Sequence, residues 1–165
     1  MDTEYNGKTT ANKELTSGTG CLVDNKHTEG VNALKSPYCW VGWKKSNVSN
    51  PSIHIELTRS ATITGIYLRT YVNEDIGAST IRKFAVKTTE FDGRLAKVNG
   101  YACAPKSNYH ISPQVIDYEI DLGDTKAQYV TLNMEYSGNW ILVRQVMIKQ
   151  GKSIFDMQLV KLLIF

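Results

Sequence analysis

Apolar and polar residues alternate with a period of two along much of the chain after Pro51. Such alternation is typical of strands that bury one face and expose the other. His54 falls between apolar neighbours, so we expect it on an exposed face. The residues predicted to face the core are Ile53, Ile55 and Leu57, then Phe84 and Val86, then Ile116, Tyr118, Ile120 and Leu122, and finally Val130, Leu132 and Met134.

Two further segments predict strands of other kinds. "TITGIYLRTYV" is rich in β-branched and aromatic residues, and its Gly65 indicates a bulge or the close approach of another backbone. "WILVRQVMI" is almost continuously apolar, which predicts a central strand buried on both faces. No segment before residue 150 has a helical period. With about six strands, the sequence predicts an all-β fold, an antiparallel β-sandwich or jelly roll.

The length of 165 residues suits one domain with a sizeable core. We assign residues 1–150 to that domain. The remaining residues, 151–165, form an apolar tail that breaks the pattern. This tail is expected to form either a short amphipathic helix or an extra strand.

The net charge of +3, from 19 Lys and Arg against 16 Asp and Glu, is dispersed along the chain. Nucleic-acid binding usually needs a concentrated basic patch, so we expect no nucleic-acid partner. The N-terminus has no apolar core of a secretory signal, and no run reaches the roughly 18–20 apolar residues of a membrane helix. If the protein acts outside the cell, we expect the chain to be a fragment of a longer polypeptide.

Nothing in the sequence indicates catalysis. There is no Gly-x-Ser-x-Gly motif, and "SGTG" at residues 17–20 lacks the Gly-Lys-Ser/Thr ending of a phosphate-binding loop. The carboxylate pairs Glu74 with Asp75 and Glu119 with Asp121 fit a solvated surface, because charged residues rarely stay buried. The three cysteines and three histidines lack the spacing of a zinc site. In a secreted protein one disulfide and one thiol are expected, and in the cytosol three buried thiols.

Trp40 and Trp43 lie three residues apart, just before the glycosylation acceptor Asn47-Val48-Ser49. The two indoles could form a platform for stacking a sugar or a peptide. Residues three apart on an extended segment point to opposite faces, however, so both cannot lie on one inner surface. We favour one tryptophan in the core beneath a loop and the other partly exposed.

Together these segments resemble the discoidin-like (coagulation factor 5/8 type C) jelly-roll family. Within it, the chain looks most like the second, discoidin-like domain of the discoidin domain receptors, which are collagen-activated receptor tyrosine kinases. The resemblance covers residues 2–149. The strings that carry it are "DTEYNGKT", "GCLVD", "YCWVGWKKSNVS", "SIHIEL", "ITGIYL", "IRKFAVKTTEFDG", "QYVTLNMEY" and "SGNWILVRQVMI".

This resemblance implies a non-catalytic module on the extracellular side of the plasma membrane. Its partners would be a neighbouring discoidin domain and, through the parent receptor, collagen or another matrix protein. The vertebrate receptors carry a sugar where this chain has Asn47, so the resemblance supports glycosylation there. Family members usually have strands before the position of Asp2, which implies a domain incomplete at its N-terminus.

The family's second domain also holds Ca²⁺ through oxygen ligands. Asp24 matches one such ligand, but Cys21 stands where an amide oxygen is expected. Arg144 and Gln145 replace a serine–glutamate pair. Because a carboxylate is lost and a guanidinium is added, we predict weak or absent calcium binding.

The cysteines depart from the receptors' internal bridge, because Thr70 falls near one of its cysteine positions. A Cys21–Cys39 disulfide is the replacement that we predict.

Two other functions remain open on sequence alone, because one sandwich fold hosts many functions. One is a secreted carbohydrate-binding module with Trp40 or Trp43 as its stacking platform. The other is an accessory domain that serves a separate catalytic domain.

Overall fold

The alternating segments form antiparallel strands in the computed structural model, which describes residues 41–90, 95–102, 114–150, 153–154 and 159–164. A short 3₁₀ turn, Glu74–Ile76, follows the second strand. Within these ranges, no helix has the length and apolarity needed to cross a membrane. The strands are β1 Val41–Lys44, β2 Ser52–Val72, β3 Ile81–Thr89, β4 Leu95–Ala102, β5 Gln114–Tyr136, β6 Trp140–Gln150, β7 Ser153–Ile154 and β8 Leu159–Ile164.

All the paired strands run antiparallel in one curled sheet with the order β1-β6-β2-β5-β3-β4. Two short strands lie off this path, since β7 pairs with β6 and β8 pairs with β2. The predicted all-β sandwich of the jelly-roll type is therefore confirmed. β6 lies between β1 and β2, which also confirms the central position predicted for "WILVRQVMI".

The long strands β2 and β5 divide this sheet into two layers. In the first layer, residues 65–72 of β2 pair with residues 114–121 of β5 and with β6. In the second layer, residues 52–56 of β2 pair with residues 129–133 of β5, and β3 and β4 continue the sheet. Both strands therefore pass from one layer to the other. The alternation pattern predicted two separate strands in place of each of them, and that division is wrong.

The two layers enclose one hydrophobic core, and every residue predicted above to face it is buried. Tyr118 joins the layers, because its ring contacts the ring of Phe84 at 5.1 Å in an edge-to-face arrangement. Its hydroxyl also accepts a 3.0 Å hydrogen bond from the backbone N–H of Ile81. These contacts tie β5 of the first layer to β3 of the second.

Gly65 lies at an irregularity in the pairing of β2 with β5. A Cβ atom at this position would approach the backbone oxygen of Ile120 to 2.8 Å, closer than real Cβ contacts come. The bulge or close backbone approach predicted for Gly65 is therefore confirmed, and the residue must be small because the backbone of the paired strand β5 comes so close to it.

The apolar tail forms strands in its described part, so the second of the two alternatives for it is confirmed. β7 pairs with the end of β6, and β8 pairs with residues 53–57 of β2. The division of the chain at residue 150 stays a prediction.

His54 lies on the outer face of β2, as predicted, but it is half-buried. Its ring nitrogens lie 3.1 Å from the hydroxyls of Ser52 and Thr131. Burial lowers the pKa of His54 below its ordinary value of 6.5. Below pH 6.5 the unfolded chain therefore takes up a proton at this position more readily than the folded chain.

We expect the free energy of unfolding to fall as the pH drops from about 6.5 towards the lower folded-state pKa of His54. The His54→Gln variant keeps a donor and an acceptor but does not titrate, so its stability should change less over the same interval. Urea unfolding at a series of pH values measures both. Because His27 and His110 are present in both proteins, the difference between the two profiles reports on His54, and parallel pH profiles would contradict the prediction.

Candidate functional site

Asn47 lies in an exposed turn directly after β1. The backbone N–H groups of Asn47 and Val48 both donate to the carbonyl of Lys44, at 2.9 and 3.0 Å, and fix the turn. Val48 is half-buried against the core, whereas Asn47 and Ser49 are exposed. The carboxamide oxygen of Asn47 accepts a 3.0 Å hydrogen bond from the hydroxyl of Ser46. The turn therefore presents to solvent the two residues that the glycosylation machinery recognises.

Three connections meet around this turn, and we call them together the loop end: residues 45–51, 73–80 and 137–139. The backbone N–H of Lys45 donates to the carbonyl of Asn139 at 2.9 Å. The backbone N–H groups of Asn139 and Trp140 in turn donate to the carbonyl of Gly77, at 3.1 and 3.0 Å. Gly77 adopts a left-handed conformation with φ of 72°, which glycine accepts without strain. These bonds hold the three connections as one surface.

The tryptophans divide between core and surface at this end of the fold. Trp43 is only 2% exposed and belongs to the hydrophobic core. Trp140 is half-buried, and the ammonium group of Lys44 lies 5.7 Å from its ring centroid. A stacking platform on Trp43 is therefore wrong, while the favoured position of one tryptophan in the core is confirmed. Trp40 lies outside the described residues.

Sequence reasoning missed Trp140 as a surface residue. The only signal was its position at the start of a strand, directly after the "SGN" turn. At such a position an aromatic ring can pack on the sheet and still border solvent.

A set of cross-strand ion pairs covers the outer face of the first layer. The guanidinium of Arg69 donates two hydrogen bonds to the carboxylate of Asp117, at 2.7 and 2.9 Å. These residues are partners in the β2–β5 register. The ammonium group of Lys149 on β6 pairs with the carboxylate of Glu119 on β5, across the intervening strand β2. The carboxylates assigned to a solvated surface are exposed, as predicted. One of them, Glu119, is held by the ammonium group of Lys149.

Tyr67 completes the cluster on this face, because the guanidinium carbon of Arg69 lies 5.8 Å from its ring centroid. Burial, together with a hydrogen bond to Asp117 and its negative charge, raises the pKa of Tyr67 to about 12. The hydrogen bond to Asp117 also raises the pKa of Arg69. The phenol therefore stays protonated and the guanidinium stays charged at neutral pH, so the cluster is suited to a stable surface.

Arg144 and Gln145 form a β-bulge in β6, at the shift between the pairs Arg69–Gln145 and Thr70–Val143. Both side chains are buried. The described part of the predicted calcium site thus contributes a cation and a neutral amide but no carboxylate, which does not suit a hard dication. Across the described residues, no group of three or more His, Cys, Asp or Glu side chains could hold a metal ion.

The remaining predicted site residues are Asp24, Cys21 and Cys39, and all three lie outside the described residues. The calcium ligand and the Cys21–Cys39 disulfide therefore stay predictions.

Glycosylation of Asn47 can be tested after secretion from cells that add N-linked sugars. We expect Asn47→Gln and Ser49→Ala each to remove one glycan, because each destroys the acceptor motif. Asn50→Gln is the matched control, since Pro51 disqualifies the neighbouring Asn-Pro-Ser. Intact mass before and after enzymatic deglycosylation gives the result. A chain whose mass does not change on deglycosylation would contradict the prediction.

Comparison with known proteins gives one family match. The family model described as "Discoidin domain-containing receptor 1/2, DS-like domain" matches residues 1–150. No curated protein sequence matches the chain.

Among solved structures, one supports the same fold at low identity, and two more are similar to the chain at lower TM-scores. A fucose-binding module of Streptococcus pneumoniae is 18% identical, with 88% of this chain and 90% of that chain covered and a TM-score of 0.53. An F5/8 type C domain of Bacteroides fragilis is 12% identical, with 69% and 73% covered and a TM-score of 0.45. The lectin domain of lectinolysin, solved with Lewis B antigen, is 12% identical, with 68% and 70% covered and a TM-score of 0.44.

Proposed function

Because the chain belongs to the family of DS-like domains of discoidin domain-containing receptors 1 and 2, we propose that it is an extracellular, non-catalytic module of a collagen-binding receptor tyrosine kinase. The observation that carries the proposal is the family match over residues 1–150. The module supports ligand recognition and receptor signalling on the outer side of the plasma membrane. The kinase domain of such a receptor would belong to the parent polypeptide.

The surface chemistry is consistent with a supporting role. Two carboxylates on the outer face of the first layer, Asp117 and Glu119, are engaged by cations. Such pairs hold the surface in one shape. The exposed Asn47 fits a secreted protein.

In receptors of this kind, the first discoidin domain mainly grips collagen and the second packs against it. We therefore expect the isolated chain to bind immobilised collagen weakly or not at all. Our test is a chimeric receptor in which this chain replaces the second domain of a discoidin domain receptor. Collagen-stimulated autophosphorylation of the chimera is the expected result. A chimera that reaches the cell surface, binds collagen through its first domain and gives no response would overturn the proposal.

A second candidate is a carbohydrate-binding module, and the observation that favours it is the half-buried Trp140, which directly follows the loop end in the chain. An indole beside hydroxyl and amide side chains could stack on a sugar ring. A glycan array decides between the two functions. Clear binding that Trp140→Ala abolishes and Asn50→Gln preserves would favour the lectin. An array without binding would count against it.

The calcium prediction can be tested by calorimetric titration of the chain. We expect weak or absent binding, because the pair Arg144 and Gln145 supplies a positive charge and no carboxylate. The double variant Arg144→Ser with Gln145→Glu restores the residues that the family carries, so it should bind more tightly. A micromolar dissociation constant for the unaltered chain would contradict the prediction.

A further inference from the structure

β8 occupies one edge of β2 and, among the described strands, pairs with β2 alone. β5 borders the opposite edge of β2, where it pairs with residues 52–56, 61–63 and 65–72. β6 shares the β8 edge, but only from Gly65 to Tyr71. Residues 53–57 of β2 are therefore an edge that a single six-residue strand covers.

The register between the two strands is chemically matched. Ile53, Ile55 and Leu57, whose side chains are buried in the core, stand opposite Ile164, Leu162 and Leu159. The only charged residue of β8, Lys161, stands opposite Glu56. The apolar row and the oppositely charged pair favour β8 as the partner of this edge, although the register shifts between Glu56 and Leu57 and places Leu163 opposite His54.

The connection that brings β8 to this edge is short. β7 ends at Ile154, which pairs with Lys149, and Lys149 pairs in turn with Gly65 of β2. Gly65 and Leu57 are eight residues apart, so along a straight β2 they would lie about 26 Å from each other. The connection from Ile154 to Leu159, the partner of Leu57, would then have to span about the same distance. The four residues 155–158 allow five Cα–Cα steps, which reach at most about 18 Å. β8 of the same chain can reach the edge only because β2 bends between Leu57 and Gly65, where its pairing is irregular.

We propose that residues 53–57 of β2 form a strand-acceptor site and that its partner is β8, Leu159–Ile164, of a second copy of this chain. Reciprocal exchange of β8 produces a strand-swapped dimer. Each acceptor edge then makes the same backbone hydrogen bonds and the same Glu56–Lys161 pairing as in the monomer. After exchange, the connection between β7 and β8 no longer has to reach β2 of its own chain. Short connections of this kind favour strand swapping for this reason. The strand exchange does not depend on the receptor function proposed above.

The first experiment uses the full chain. Light scattering coupled to size exclusion should show a dimer whose fraction rises with protein concentration, and the two forms should interconvert slowly because β8 must be released first. Glu56→Cys and Lys161→Cys variants, carrying different affinity tags, are then unfolded together, refolded and oxidised. We expect peptide mapping to find a disulfide that joins the introduced cysteines at positions 56 and 161 of differently tagged chains. Mapping of the linked peptides separates this bond from any that involves the three native cysteines.

The second experiment lengthens the connection. Insertion of Gly-Ser-Gly-Ser between Asp156 and Met157 should reduce the dimer by about tenfold or more, because β8 then reaches its own chain easily. The same insertion between Ser49 and Asn50 is the matched control and should leave the dimer unchanged. Cooperative urea unfolding shows that both variants fold. A chain that stays monomeric at every concentration overturns the proposal. So does a dimer that lacks the disulfide between positions 56 and 161, or one that the longer connection does not affect.

Discussion

Replacing Trp43 with alanine should lower the free energy of unfolding by about 3–5 kcal/mol, the range for removing a large aromatic side chain from a core. Trp43 is among the largest fully buried side chains in the described part of the protein. It lies on β1, a four-residue strand that pairs, among the described strands, with residues 140–143 of β6. Because removal of so large a buried ring leaves a large cavity, the loss should lie near the upper end of the range. Urea unfolding followed by circular dichroism measures it.

Trp140→Ala is the matched control, because it removes the same ring from a half-buried position on the same pair of strands. We expect a loss of only about 1 kcal/mol, mostly from its contact with the ammonium group of Lys44. Equal losses in the two variants would mean that Trp43 does not anchor the core. The two variants also distinguish an effect on folding from an effect on ligand binding. Because Trp43 is buried, any loss of ligand binding in Trp43→Ala would follow from the loss of folded protein.

The sequence predicted the core well because a period of two reports directly on a half-buried strand. The predicted inward residues of β2, β3 and β5 are all buried, and Phe84 and Leu132 are fully so. Each of these assignments needs only the local pattern, since side chains of a strand alternate between faces wherever the strand lies. The antiparallel sandwich followed from the number and spacing of such segments.

The passage of β2 and β5 between layers could not be predicted in the same way. The segment from Thr58 to Thr62 is polar and mostly exposed, so it resembles a loop between two strands. It contains neither glycine nor proline, however, and the backbone continues as strand through an irregular register. In β5, Gly123 with φ of 57° marks the corresponding corner. The lack of glycine and proline between Thr58 and Thr62 was evidence that β2 is one continuous strand. The break in the alternating pattern at the same residues suggested a loop instead.

The ion pairs on the outer face depend on register, which the sequence does not encode locally. Arg69 and Asp117 are 48 residues apart, and they meet only because β2 and β5 align them. A one-residue slip would place each on the opposite face. The sequence does show that opposite charges occupy outward positions on both strands. This pattern limits the possible registers between β2 and β5, but it does not determine which one forms.

Two Tyr→Phe substitutions should differ in their effect on stability, although each removes one buried hydroxyl. Tyr118→Phe removes the acceptor of the Ile81 backbone N–H and leaves this donor unsatisfied, which costs about 1–3 kcal/mol. The hydroxyl of Tyr136 is buried and has no hydrogen-bond partner among the described residues. Burial also raises the pKa of Tyr136 to about 12, so the phenol is neutral at ordinary pH. Tyr136→Phe should therefore be neutral or stabilise the protein by about 1 kcal/mol.

Urea unfolding at neutral pH measures both variants against the unaltered chain. The ring of Tyr118 keeps its edge-to-face contact with Phe84 in the phenylalanine variant, so the loss reports on the hydrogen bond to Ile81. A destabilised Tyr136→Phe would mean that the hydroxyl has a partner, such as a buried water molecule. An unchanged Tyr118→Phe would mean that Ile81 is satisfied in another way. A loss of stability in Tyr118→Phe but not in Tyr136→Phe would show that Tyr118 links the two layers through a specific bond, whereas Tyr136 contributes to the core through its ring alone.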